Sequence, residues 1–138
     1  MRKDKIMTFI ELDLKINEPV VQDYFARFNQ SDFIATSDLF SEQGRLKPPF
    51  ENVIKGRSAI AQYLAKEALG MKIFPTYMKT ATIAQDCTQY QIKGRVKTNY
   101  FTVNTSWLIN LNSMKEITLV EIQLLEKLDN LLAFKNCQ

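Results

Sequence analysis

Residues 100–111 read YFTVNTSWLINL, and a period of two runs through them. Phe101, Val103, Thr105, Trp107, Ile109 and Leu111 fall on one face of a strand. Thr102, Asn104, Ser106, Leu108 and Asn110 make the other, which is mostly polar. The single tryptophan of the chain therefore sits mid-strand on the apolar side. A buried indole brings a large apolar surface and one N–H donor, and that donor needs an acceptor. Two readings stand side by side: a core tryptophan bonded to a nearby carbonyl, or a pocket wall that offers its N–H to a ligand.

Outward from this strand, Asn112-Ser113 turns the chain into Glu116–Leu125, where Val120, Ile122 and Leu124 oppose Glu121 and Gln123. Upstream, a strand from Cys87 to about Asn99 points Tyr90, Ile92 and Val96 inward and Gln91, Lys93, Arg95 and Lys97 to solvent. Residues 72–84 form a strand bent at Pro75. Ahead of these the period changes. Val20, Val21, Tyr24, Phe25 and Phe28 recur at helical spacing after Asn17 as N-cap and Pro19 in the first turn. A second helix is predicted from Ser31 to near Phe40, with Phe33, Thr36, Ser37 and Phe40 inward. A third spans Ser58 to Leu69 on an Ile60, Tyr63, Leu64, Ala68 stripe and is stopped by Gly70. Between them, Ser41 to Gly56 is irregular, and Pro48-Pro49 forbids helix. Residues 6–16 alternate as an opening strand, and the tail around Leu131, Leu132 and Phe134 predicts a short amphipathic helix.

Strand, three helices, then a meander of long strands predicts one α+β domain over residues 1–138, with residues 1–5 disordered and 128–138 a tail. Helices on one face of a curved antiparallel sheet make a cone whose apolar mouth suits a small molecule.

Composition narrows the function. The 18 basic and 15 acidic residues leave a net charge of +3 without a concentrated basic surface, so nucleic acid is not an expected partner. There is no histidine, which excludes Ser–His or Cys–His nucleophile pairs and imidazole metal sites. Cys87 and Cys137 match neither a metal spacing nor a disulfide framework, and a cytoplasmic location is expected. Cys87, in the Asp86-Cys87-Thr88 turn, is a candidate for a redox-linked intermolecular disulfide against the simpler reading of an inert thiol. Asp23 and Asp38 flank apolar helical stripes as solvated carboxylates, and Glu121 and Gln123 read as an outward polar row. The four glycines are isolated, so there is no phosphate loop. This pattern fits binding better than catalysis.

One set of residues carries a resemblance. Tyr24-Phe25-Ala26-Arg27-Phe28-Asn29, Asp32-Phe33, the Leu39 to Phe50 stretch with its LFxxxGxLxPPF pattern, and Ile54 and Gly56 are similar to the C-terminal domain of the cyanobacterial orange carotenoid protein family. So are Met71-Lys72-Ile73-Phe74-Pro75, Gly94-Arg95-Val96-Lys97-Thr98, Asn104-Thr105-Ser106-Trp107 and Ile122-Gln123-Leu124-Leu125. The similarity covers residues 12–135 and implies a nuclear-transport-factor-2-like cone without catalytic activity. It implies a ketocarotenoid cofactor of the canthaxanthin or echinenone type, whose ring carbonyl accepts hydrogen bonds from Tyr24 and Trp107. Phe40, Ile73, Ile122 and Leu124, with Phe28 and Met71, match lining positions. The partners implied are a second copy in a homodimer, helical carotenoid-binding proteins that exchange pigment with it, and transient contact with membranes during pigment uptake. The chain looks like a free-standing homologue, without the family's helical domain. Its Tyr100-to-Trp107 segment is shorter than the family's, and Tyr100 stands near a second family tryptophan. The alternative is an isomerase- or dehydratase-type enzyme of the same superfamily acting on a small apolar substrate. An interaction module using the cone's mouth is a third reading.

Overall fold

The computed structural model describes residues 18–84 and 86–125. The predicted opening strand, the disordered first residues and the tail helix lie outside them. In chain order the elements are α1 (Pro19–Asn29), α2 (Phe33–Ser37), β1 (Phe40–Lys47), β2 (Ile54–Lys55), α3 (Arg57–Glu67), β3 (Lys72–Ala84), β4 (Cys87–Lys97), β5 (Thr102–Leu111) and β6 (Ile117–Leu124). The strands make one sheet ordered β2-β1-β6-β5-β4-β3. This is the α+β architecture expected, a curved sheet under three helices.

The meander β3 to β6 is antiparallel throughout, and its inner face follows the period-two reading. Val103, Thr105, Trp107, Ile109 and Leu111 are all buried on β5, while Phe101 falls just before the strand and is exposed. Helix α1 buries Val21, Tyr24, Phe25 and Phe28 against that face. Its cap is Glu18 rather than Asn17, with Pro19 opening the helix.

Two departures from the sequence reading matter. Helix α2 is capped by Asp32 rather than Ser31, since the Asp32 carboxylate accepts from the Ala35 N–H at 3.2 Å, and it ends at Ser37; Ser31 precedes the cap in a left-handed conformation. Phe40 then opens a strand rather than closing a helix, and β1 runs parallel to β6. Its register slips between Phe40 and Arg45, so the buried positions are Phe40, Gly44 and Leu46 and the alternation is broken.

The ends of the sheet are fastened by side chains. Asn29, at the end of α1, behaves as a fragment of strand: its Nδ2 donates to the Ile73 carbonyl at 2.9 Å and its Oδ1 accepts from the Ile73 N–H at 2.6 Å. Arg57 Nε donates to the Phe40 carbonyl at 2.8 Å, holding α3 to β1. At the opposite end, the nearly buried Glu18 carboxylate takes Lys115 Nζ at 2.8 Å and the Tyr90 hydroxyl at 3.4 Å. That bond holds the Lys115 ammonium above its ordinary value, and burial followed by the Glu18 charge raises the Tyr90 phenol.

Strand β3 bends where expected. Its pairing with β4 slips between Pro75 and Tyr77, opposite Gly94. A Cβ on Gly94 would lie 2.3 Å from the Phe74 carbonyl oxygen and 2.7 Å from the Pro75 Cα, both backbone atoms that cannot turn aside. Gly94→Ala should therefore force the strands apart and cost about 1–3 kcal/mol, as overpacking does. Urea unfolding would read this as a lower midpoint. A midpoint equal to wild type would mean that the bulge gives way freely.

Candidate functional site

Between α3 and the inner face of the sheet lies a cavity of about 250 Å³. The sheet supplies Ile73, Val96, Val103, Thr105, Trp107, Ile122 and Leu124 to its wall. Helix α3 and the turn after it supply Tyr63, Leu64, Glu67, Ala68 and Met71; Phe28 closes it from α1, and Pro48, Pro49, Thr98 and Phe101 surround it from the loops. The wall is apolar because two periodicities meet on it, the inner face of each strand and the Tyr63, Leu64, Ala68 stripe of α3. The Thr105 hydroxyl is already engaged with the Val103 carbonyl at 3.2 Å. Glu67 is exposed.

Six residues singled out in the sequence therefore come together on one wall: Trp107, Ile73, Ile122, Leu124, Phe28 and Met71. Tyr24 and Phe40 stand one aromatic layer behind it, both fully buried. The Tyr24 ring lies 6.3 Å from Phe28, which faces the cavity, and 6.3 Å edge-on from Phe40. Phe25 meets Trp107 edge-on at 5.4 Å. Phe25 of α1 thus backs the indole, and Tyr24 packs edge-on behind Phe25 at 5.3 Å.

Among the described residues, the Tyr24 hydroxyl is the one buried side-chain polar atom without a hydrogen-bond partner. Desolvation raises its pKa well above the ordinary phenol, so it stays a donor at any physiological pH. An unmet buried donor costs about 1–3 kcal/mol, and such a group calls for an explanation. Period and spacing place Tyr24 on the buried stripe but are silent about what its oxygen meets.

The carboxylates weighed as catalytic bases are elsewhere. Asp23 pairs with Arg27 at 3.8 Å on the exposed side of α1, and Asp38 is exposed. Glu121 accepts from Gln123 Nε2 at 3.4 Å, side by side as the alternation of β6 predicts. Tyr100, 87 % exposed, does not reach the cavity; its neighbour Phe101 does. Sequence reasoning used Tyr63, Leu64, Ala68, Val96 and Val103 as core and did not assign them to the site. The Pro48-Pro49 pair was legible only as a helix breaker and a shared pattern. Cys87 is half-buried. Among the described residues no cluster of His, Cys, Asp or Glu could hold a metal, and no helix is long and apolar enough to cross a membrane.

No family model matches the chain. Over 86 % of its length it is 29 % identical to the orange carotenoid-binding protein of Synechocystis sp., of which it spans 39 %. The corresponding figures for the protein of Limnospira maxima are 29 % identity, 86 % of this chain and 38 % of the relative. The chain therefore spans well under half of these relatives and corresponds to their C-terminal domain. In three dimensions it matches the orange carotenoid protein of Anabaena (Nostoc) sp. PCC 7120 binding canthaxanthin, with a TM-score of 0.76 and 30 % identity over 84 % of this chain and 38 % of that one. An NTF2-like protein of Cytophaga hutchinsonii shares the fold, with a TM-score of 0.63 and 17 % identity over 82 % of this chain and 91 % of that one.

Proposed function

Proceeding from homology to the C-terminal domain of the orange carotenoid proteins, we propose that this chain is a soluble carrier of a ketocarotenoid. The observation that carries the reading is the partnerless Tyr24 hydroxyl, buried one ring behind an apolar cavity walled by Trp107. A keto ring supplies what the Tyr24 hydroxyl lacks, an acceptor, which an indole N–H can share, on an apolar body that suits the rest of the wall. Phe28, in contact with Tyr24 and facing the cavity, is the side chain that has to turn for the ketone to reach the hydroxyl.

The carrier exchanges pigment with helical carotenoid-binding proteins, takes it up through transient contact with membranes, and quenches singlet oxygen while loaded. A polyene of about 30 Å is nearly as long as a domain of this size is wide, so one cone leaves part of it in water. A second copy covers that part, and the loaded state is a homodimer. A binding role without catalysis is part of this reading: the carboxylate on the cavity wall, Glu67, is exposed.

Purification from a ketocarotenoid-producing host tests this. A broad, red-shifted visible band co-eluting with a dimer is expected. A colourless protein from a pigmented lysate would sink the carrier reading, and a pigmented monomer at micromolar concentration would sink the dimer.

A further inference from the structure

Among the described residues, the cavity wall carries four side chains with oxygen: Tyr63, Glu67, Thr98 and Thr105. Three of them are turned to other partners or to solvent. The Tyr63 hydroxyl donates to Glu51 Oε2 at 3.1 Å, and Glu67 is exposed. The Thr98 hydroxyl serves the turn before β5, donating to the Phe101 carbonyl at 3.0 Å and accepting the Tyr100 and Phe101 N–H groups at 3.1 Å. Thr105 is different. It is 0 % exposed, on the inner face of β5, two residues from Trp107. Alternation asks only for an apolar side chain at that position, and valine has nearly the same shape. A buried hydroxyl in place of a methyl carries a desolvation cost that packing does not return.

The one bond it makes sets the direction of its chemistry. Its O–H is spent on the Val103 carbonyl at 3.2 Å, so toward a ligand the oxygen acts as an acceptor. The Trp107 N–H, on the same strand face, is a donor. Alternate residues of a strand stand about 7 Å apart along one face, so acceptor and donor address neighbouring positions of one small ring. The donor suits a ketone. The acceptor suits a hydroxyl, which a ring bearing only a ketone does not have.

Resting on the carrier reading, we infer that Thr105 is a specificity-determining residue, whose oxygen accepts from a ligand hydroxyl on the ring carbon next to the ketone. The ligand class that meets the whole wall is then the hydroxylated ketocarotenoid, with an α-hydroxy ketone in its terminal ring. The ketone takes the indole side, the hydroxyl takes Thr105, and the rest of the ring meets Ile73, Ile122 and Leu124.

Canthaxanthin and astaxanthin are the probes: both carry the ketone, and astaxanthin adds a hydroxyl on the neighbouring ring carbon. Pigment-free protein is offered an equimolar mixture, and the pigment it retains is extracted and separated by chromatography. The ratio is the readout, since a general defect in folding or binding lowers both pigments together. Relative to wild type, Thr105→Val should lower the astaxanthin-to-canthaxanthin ratio about tenfold, because the ligand hydroxyl is then buried without a partner. Thr105→Ser should keep the wild-type ratio and Thr105→Ala should follow Thr105→Val, so that the ratio tracks the oxygen rather than side-chain size. Should Thr105→Val not fold, the alanine and serine variants carry the same comparison. A wild-type ratio in Thr105→Val and Thr105→Ala, or an equal fall in Thr105→Ser, would overturn the inference and leave the carrier reading intact. If the wild type retains neither pigment, the carrier reading fails and the assignment of Thr105 with it.

Discussion

Tyr24→Phe should make the pigment-free protein more stable and the loaded protein less red. The hydroxyl is fully buried and unpartnered, so its removal relieves a desolvation cost of about 1–3 kcal/mol while the ring keeps its packing against Phe25, Phe28 and Phe40. Urea unfolding without pigment should show a higher midpoint, and the visible band of the loaded variant should move toward shorter wavelength. The opposite signs are the diagnostic. A purely structural tyrosine with an unseen partner would lose stability in the variant and leave the spectrum alone.

Trp107→Ala should cost about 3–5 kcal/mol, the range for deleting a buried aromatic. The indole is 2 % exposed, packs edge-on to Phe25 and stands between Ile92 and Ile122 across the sheet. Since the variant has no tryptophan, circular dichroism has to follow its unfolding. Trp107→Phe retains most of the packing and removes the N–H, so it should keep the fold and still lose the red shift. Should Trp107→Phe retain the full red shift, the indole would be wall rather than donor.

The sequence was most legible where one period governed a long run. The inner face of β5 could be read from Val103 to Leu111, and the α1 stripe from Val21 to Phe28, because each element presents one side to one core. Strand β1 was hidden for a physical reason. The slip between Phe40 and Arg45 puts Phe40, Gly44 and Leu46 inside, a spacing that belongs to neither period, and its partner β6 is remote in sequence. On the cavity wall, Trp107, Ile122 and Leu124 were legible because alternation places them inward and the family resemblance marks them, and Ile73 through the resemblance alone. Phe101 and the Pro48-Pro49 pair were missed as wall residues because loops carry no period. The unpartnered hydroxyl of Tyr24 is a property of three-dimensional surroundings, which a helical stripe does not encode.

The parallel pairing of β1 with β6 also bears on how the chain reaches this fold. Strands β3 to β6 follow one another through short connections, so each hairpin closes a small loop. Joining Phe40 to Ile117 instead closes a loop over most of the domain. Such distant pairings come late, because the chain gives up loop entropy before they reward it. The meander and α1 should form the folding nucleus, and β1, carrying β2 and the Pro48-Pro49 turn, should dock last and open first in native-state hydrogen exchange. The side of the cone that docks last carries Pro48 and Pro49, which border the cavity, so the part of the wall with the lowest opening free energy would be the part this turn supplies.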